Sequence, residues 1–318
     1  MKIYFAPLEG ITGFAYRNAH SSAFGGDVDK YFAPFISPNY THHLKGKERE
    51  DVLPENNRGL FLVPQILTNH AEDFLWAAGE LSQMGYKEIN LNLGCPMPTV
   101  ARRGRGAGQL ADLDALDRFL EEVCSKMKGW RLTVKTRIGL DDAAHAQDLC
   151  TVYSRYPIGE LIVHPRTRRD LYGGSPDLDV FQMFYENCPH ALVYNGDIFS
   201  KADHERIQTR FPRCSAVMLG RGLISDPALA REIRGGGLLS PEELKAFHDA
   251  VFEAGRRSLP GPAPLLGRMK ELWLYMGRNF PGEDRLIKQI RKARTPVEYQ
   301  GAVRTLFTCG RFSPADKG

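Results

Sequence analysis

The chain has 318 residues, of which 42% are hydrophobic and 25% charged, with a formal net charge of +4. This is ordinary for a soluble globular protein and long enough for one large domain plus an accessory piece. No apolar run reaches the ~18–20 residues that span a bilayer, and MKIYFAPLEG has no signal-peptide layout because its short apolar stretch meets Pro7. A cytoplasmic protein with no membrane partner is therefore expected.

In chain order, β-rich runs appear at 2–7, 30–35, 60–67, 88–93, 131–138, 160–165, 191–195 and 216–220. Amphipathic helical stretches fall between most of them, most clearly at 71–85, 113–128, 144–156, 177–187 and 201–211. Asp112, Ser200 and Asp226 read as N-caps, and Gly85 and Gly129 as helix stops. Eight strands alternating with helices predict an α/β fold, a (β/α)8 TIM barrel. No Gly-rich dinucleotide fingerprint follows the first strand, which argues against an open doubly wound sheet. Gly235-Gly236-Gly237 with Ser240-Pro241 reads as a hinge, and beyond it the pattern is helical only, at 241–256, 263–279, 283–292 and 296–308. The expected domains are thus a barrel over 1–237 and an all-helical C-terminal domain over 238–318. Leu265, Met269, Leu272, Trp273 and Met276 recur at helical spacing and read as core.

Charge is unevenly placed. Residues 241–318 hold 14 Lys+Arg against 9 Asp+Glu, while the preceding 240 hold 28 against 29. A polyanionic partner would meet the C-terminal part. The six cysteines, at 95, 124, 150, 188, 214 and 309, show neither CxxC nor paired spacing. This speaks against both zinc and a disulfide framework and for a reducing cytoplasm, and no metal site is expected.

In a TIM barrel the reacting groups gather at the C-terminal ends of the strands. Here those ends are polar on every strand but the second: Pro7-Leu8-Glu9, Gln65, Asn90/Asn92/Cys95, Lys135/Arg137, His164/Arg166, Asn195-Gly196-Asp197 and Gly220-Arg221-Gly222. Cys95 is delivered by INLNLGCP, an alternating run that stops at a Gly-Cys-Pro turn. An ordinary thiol is mostly protonated at neutral pH, so it can donate a proton as well as attack. NGD after the seventh strand and GRG after the eighth put glycines and a cation where barrels bind phosphate. Flavin, sugar phosphate and pyridoxal phosphate all satisfy that much.

Seven segments then occur together and in order: APLEGITGFAYR, PQI at 64–66, INLNLGCPMPTVARRGRGAGQL at 89–110, VKTRIG at 134–139, VHPRTR at 163–168, NGDI at 195–198 and GRG at 220–222. With them the chain resembles the tRNA-dihydrouridine synthase family over essentially its whole length. The resemblance implies an enzyme that reduces the C5=C6 bond of uridine in tRNA, with FMN as cofactor and NADPH as reductant. It implies Cys95 as the acid that protonates C5. FMN would be held by Pro7, Leu8, Glu9, Gln65, Lys135, His164, Asn195, Gly196, Asp197, Gly220 and Arg221. Asn92 would lie beside the flavin and the flipped base, and Arg166 and Arg168 would meet RNA. A monomer would suit so large a partner. Two departures stand out: Pro165 where a glycine usually follows the histidine, and Met97-Pro98 where polar residues are common. The alternative reading is another FMN barrel acting on a small molecule, dihydroorotate-dehydrogenase-like, which has no use for an arginine-rich mouth or a basic tail. A tRNA-binding protein whose chemistry has lapsed is a further alternative, against which Cys95, Lys135 and His164 count.

Overall fold

The computed structural model describes residues 1–314. Among these, parallel strands β1 Lys2–Phe5, β2 Lys30–Phe32, β3 Leu62–Val63, β4 Gln65–Ile66, β5 Glu88–Leu93, β6 Arg131–Arg137, β7 Glu160–His164, β8 Ala191–Tyr194 and β9 Ala216–Leu219 form one sheet. Its order is β3-β2-β1-β9-β8-β7-β6-β5-β4. The two ends of that order, β3 and β4, are halves of one strand interrupted at Pro64, which has no N–H to offer a ladder. β3 pairs with β2 and β4 with β5, while the Pro64 carbonyl accepts Asn90 N at 2.9 Å. The sheet thus closes into the (β/α)8 barrel that the sequence predicts.

By compactness the chain divides into two units. The first comprises Met1–Pro7, Lys30–Asp197 and Arg206–Met218; the second comprises Leu8–Asp29, Ile198–Glu205 and Leu219–Gly318.

In the first unit the barrel interior is apolar on one side, where Tyr4, Ala6, Phe32, Val63, Ile162, Val193, Ala216 and Met218 form a buried cluster. At the N-terminal ends of the strands an ionic cluster fills the lumen. Lys30 Nζ meets Glu88 Oε2 at 2.8 Å and Glu160 Oε2 at 2.9 Å, and Tyr4 Oη donates to Glu160 Oε1 at 3.0 Å. Arg131 reaches the same two carboxylates at 3.5 and 3.2 Å. Two cations matched to two anions leave that end neutral and satisfied, which is what burial demands. Helices Ala71–Gln83, Leu113–Lys126, Ala146–Ser154 and Leu178–Asn187 follow one another in this unit, each near its predicted bounds. Asp112 caps the second by accepting Ala115 N at 2.9 Å, as read from the sequence.

In the second unit, helix Pro241–Ser258 opens with a capping box between Ser240 and Glu243. Helices Pro262–Met276, Asp284–Lys292 and Pro296–Cys309 follow, so the expected all-helical tail is present. Helix Phe14–Phe24, which the sequence pattern does not reveal, packs against Pro241–Ser258. Tyr16, His20 and Phe24 present ring edges to Phe247 at 5.4–6.1 Å. Its buried Arg17 and His20 break the apolar periodicity that marks a helix. Asp226, expected as an N-cap, ends the short helix Arg221–Ser225 and accepts Ala228 N at 2.9 Å. Among the described residues no helix is long and apolar enough to cross a membrane.

Candidate active site

Strand β5 carries the site. Its residues are in register with β6, Asn90 beside Thr133 and Asn92 beside Lys135, while Arg137 of β6 lies beside His164 of β7. Parallel neighbours in register point to the same face, so these polar side chains form successive layers towards the C-terminal end. Gln65 joins them from β4. Its Nε2 donates to Asn90 Oδ1 at 2.8 Å, its Oε1 accepts Asn92 Nδ2 at 2.8 Å, and Asn90 Nδ2 donates onward to Thr133 Oγ1 at 3.0 Å. Three buried amides are thereby locked into one orientation.

Asn92 then sets the turn that holds Cys95. Its Oδ1 accepts Gly94 N at 3.0 Å and Cys95 N at 2.9 Å. On the far side, Cys95 O accepts Ala107 N at 3.1 Å and Gly94 O accepts Arg137 Nε at 3.0 Å. The glycines of RGRGAG serve this packing. Gly106 has φ 55°, and a Cβ there would lie 2.9 Å from Cys95 O; a Cβ on Gly108 would lie 2.3 Å from Ala101 O. Cys95 itself is half-buried.

Lys135 is half-buried beside Asn92, and among the described residues no carboxylate partners it. Burial pushes its ammonium down to about 7; the Arg137 charge adds to that and Cys95 opposes it. A cation in that position asks for an anionic or acceptor-rich ligand edge. His164 Nε2 accepts from Arg166 Nη1 at 3.2 Å, because a guanidinium only donates; its proton therefore belongs on Nδ1.

Two buried arginines brace the loop after β7. Arg137 gives Nη1 to Thr167 O and Nη2 to Leu171 O, both at 2.6 Å. Arg166 is 1% exposed and donates to Gly173 O at 3.0 Å, to Gly174 O, and to Asp197 Oδ2 at 2.6 Å. Arg166, expected from the resemblance to meet RNA, is thus enclosed, its guanidinium engaged by His164, Gly173, Gly174 and Asp197. Arg168 is half-buried, its Nη1 3.8 Å from Asp141 Oδ1. Asn195 donates to Met218 O at 2.7 Å, clamping β8 to β9, and Gly196 leaves room for the Tyr194 hydroxyl, which a Cβ would approach to 2.2 Å. Pro165 is accommodated, its carbonyl accepting Asp177 N at 2.7 Å ahead of helix Leu178–Asn187.

Of the other expected residues, Pro7 ends the first segment of this unit, while Leu8, Glu9, Gly220 and Arg221 belong to the second. There Thr12 Oγ1 accepts Leu8 N at 2.8 Å in a turn with Gly10 at φ 82°. Arg221 lies over the Phe199 ring at 5.6 Å, and a Cβ on Gly222 would reach Ile198 O at 2.1 Å. Sequence reasoning missed the bracing by Arg137 and the steric need for Gly106 and Gly108. The run of alternating Arg and Gly was the available signal for the latter.

Residues 4–245 match the family described as "Dihydrouridine synthase (Dus)". The chain is 28% identical over 326 aligned positions to the "tRNA-dihydrouridine(16) synthase" of Cupriavidus necator, covering 96% of this chain and 97% of that one. It is 28% identical to the protein of the same name from Ralstonia nicotianae, covering 95% of each. Among solved structures it is similar to morphinone reductase, with TM-score 0.53 and 13% identity over 77% of this chain and 88% of that one. It is also similar to histamine dehydrogenase from Rhizobium sp. 4-9, with TM-score 0.57 and 14% identity over 74% of this chain and 45% of that one. At such identities these two likenesses speak for the barrel fold.

Proposed function

The chain belongs to the dihydrouridine synthase family, and from that premise we propose that Cys95 and a bound FMN together reduce uridine in tRNA to dihydrouridine. The enzyme is an oxidoreductase acting on tRNA; the match over residues 4–245 is the observation that carries this assignment. Relatives similar over nearly their full length are named for position 16, and that uridine is the expected target.

The residues of the first unit suit a flavin. Among the described residues no carboxylate partners Lys135, and the pyrimidine edge of an isoalloxazine would supply acceptors for it. Gln65 and His164 would line the same ring, and Asn195, Gly196 and Asp197 the phosphate side. Roles for Pro7, Leu8, Glu9, Gly220 and Arg221 in holding it are proposed from the resemblance. When bound and reduced, with NADPH as the reductant, the flavin supplies the hydride that uracil C6 receives.

Cys95 does the complementary work. Its thiol donates a proton to C5 from the face opposite the incoming hydride, and the resulting thiolate regains its proton from water. Asn92 and Arg137 hold the Gly94-Cys95 backbone from two sides, which fixes where Sγ points. The uridine leaves its stack to reach this acid, and Arg102, Arg103, Arg168 and the basic helical tail bind the RNA backbone. A cytoplasmic monomer is proposed as the working form. The test is dihydrouridine in an unmodified tRNA transcript after incubation with the flavin-loaded protein and NADPH, read by mass spectrometry and mapped by position. Product at position 16 is expected; a transcript left unmodified at every uridine refutes the assignment.

A further inference from the structure

Among the described residues of the first unit, the exposed large hydrophobics are Tyr40, Phe61, Met97, Leu171 and Tyr172. Four of the five lie on loops leaving the C-terminal ends of β2, β5 and β7, the end at which Cys95 is presented. Only Phe61, just before β3, lies at the other end. Apolar side chains scattered at random over a surface need no explanation, but a set gathered at one mouth does.

The backbone singles out two of these loops. Among the described residues, the non-glycine positions with left-handed backbone are His42, φ 49°, and Leu171, φ 51°. Each stands within two residues of an exposed tyrosine, Tyr40 and Tyr172. Such conformations persist where surrounding contacts hold them, and they gather at functional sites. Around His42 the holding contacts are evident. Its ring stacks on Trp76 with centroids 5.0 Å apart and planes at 8°, and its Nε2 lies 3.3 Å from Asp73 Oδ1. Its N donates to Asn39 O at 2.9 Å, and Asn39 Oδ1 accepts Thr41 N at 3.0 Å. Tyr40, enclosed by these bonds on both sides in sequence, is itself 90% exposed. A turn this well tied with a bare aromatic at its tip is a presented ring, not a loose loop.

The turn is also tied to the catalytic segment. Arg105, on the loop that packs over Cys95, reaches Ser37 Oγ at 3.5 Å and Asn69 Oδ1 at 3.3 Å. Tyr40 is three residue steps along the chain from Ser37, at most about 11 Å when fully extended.

We propose that Tyr40 is a stacking platform for an unpaired tRNA base flanking the uridine that is drawn to Cys95. The proposal rests on the tRNA reading above and adds a contact that would help set which uridine is presented. Bases in single-stranded RNA loops are taken up by aromatic side chains in this way, and a phenol ring accepts any base.

The test uses the flavin-loaded protein with unmodified tRNA, comparing Tyr40→Ala, Tyr40→Leu and Tyr40→Phe. Y40A and Y40L should raise KM for tRNA about tenfold, as expected for loss of one base–aromatic stack, with kcat close to wild type. Y40F should behave as wild type. The slope of log KM against log salt should not change in Y40A, because no phosphate contact is lost. The melting temperature checks that each variant folds, which the exposure of Tyr40 favours. An unchanged KM in Y40A or in Y40L overturns the proposal, as does a fall in kcat alone. A Y40F as weak as Y40A also overturns it, since the hydroxyl and not the ring would then be at work. A wild-type protein that forms no dihydrouridine refutes the functional reading and this proposal together, whereas an active wild type with an unaffected Y40A refutes only the proposal.

Discussion

Replacing Lys135 by Met in the flavin-free protein should remove a pH dependence that this residue builds into the barrel. The folded chain holds the ammonium at about 7 against an ordinary 10.5. Between those values the unfolded chain binds the proton that the folded chain has released, so stability rises with pH through the window. Below about pH 7 both states carry the charge and the folded state bears the whole cost of burying it. The full shift corresponds to at most about 5 kcal/mol at about 1.4 kcal/mol per unit. Relaxation of the long stem towards water reduces this to about 2–3 kcal/mol. Urea unfolding of wild type and Lys135→Met, followed by fluorescence and circular dichroism from about pH 6 to about pH 10.5, isolates the effect, because every other titrating group cancels in the difference. Wild type should gain about 2–3 kcal/mol relative to the variant as pH rises, with the Met protein the more stable at the acid end. A difference that stays flat to within about 0.5 kcal/mol would refute the reasoning that an unpaired cation is buried there.

Cys95→Ala should keep flavin and tRNA binding while dihydrouridine formation falls by about 10²–10⁴, the usual weight of a positioned acid; turnover at the wild-type rate would remove Cys95 from the mechanism. Gly108→Ala drives a methyl into Ala101 O, 2.3 Å away, and should cost about 1–3 kcal/mol in thermal stability while lowering turnover through the Cys95 loop. Tyr299→Phe should cost about 1–3 kcal/mol, measured by calorimetry, because Tyr299 Oη accepts Trp273 Nε1–H at 2.8 Å and donates to His248 Nε2 at 2.7 Å. Burial holds the His248 imidazole below its ordinary range, so acid should weaken wild type more than a variant in which this chain of bonds is already broken.

Strand positions were legible because eight β-rich runs at helix-length spacing leave few other arrangements, and each observed strand falls inside its predicted run. The tail helices were equally plain. Leu265, Met269, Leu272, Trp273 and Met276, read as core from their spacing, are buried. Helix Phe14–Phe24 was not legible, since Arg17 and His20 occupy buried positions that periodicity assigns to apolar residues. Closure of the barrel through a strand broken at Pro64 was also hidden, because partners for β3 and β4 come from distant parts of the chain.

Within the site, local sequence determined that a single thiol stops at a strand end between Gly and Pro, and that polar residues crowd the neighbouring strand ends. Those statements need only period-two alternation and the stiffness of a proline turn. Burial and partnership were decided by the tertiary structure alone. Arg166 and Arg168 are indistinguishable as residue types two positions apart, yet one is fully enclosed with Asp197 and the other is only half-buried, near Asp141. Among the described residues Lys135 is left without a carboxylate, and Asn92 is turned to cap the cysteine loop. Each of these depends on which distant backbone arrives within about 3 Å, a quantity set by the closed barrel and written nowhere in the local order of residues.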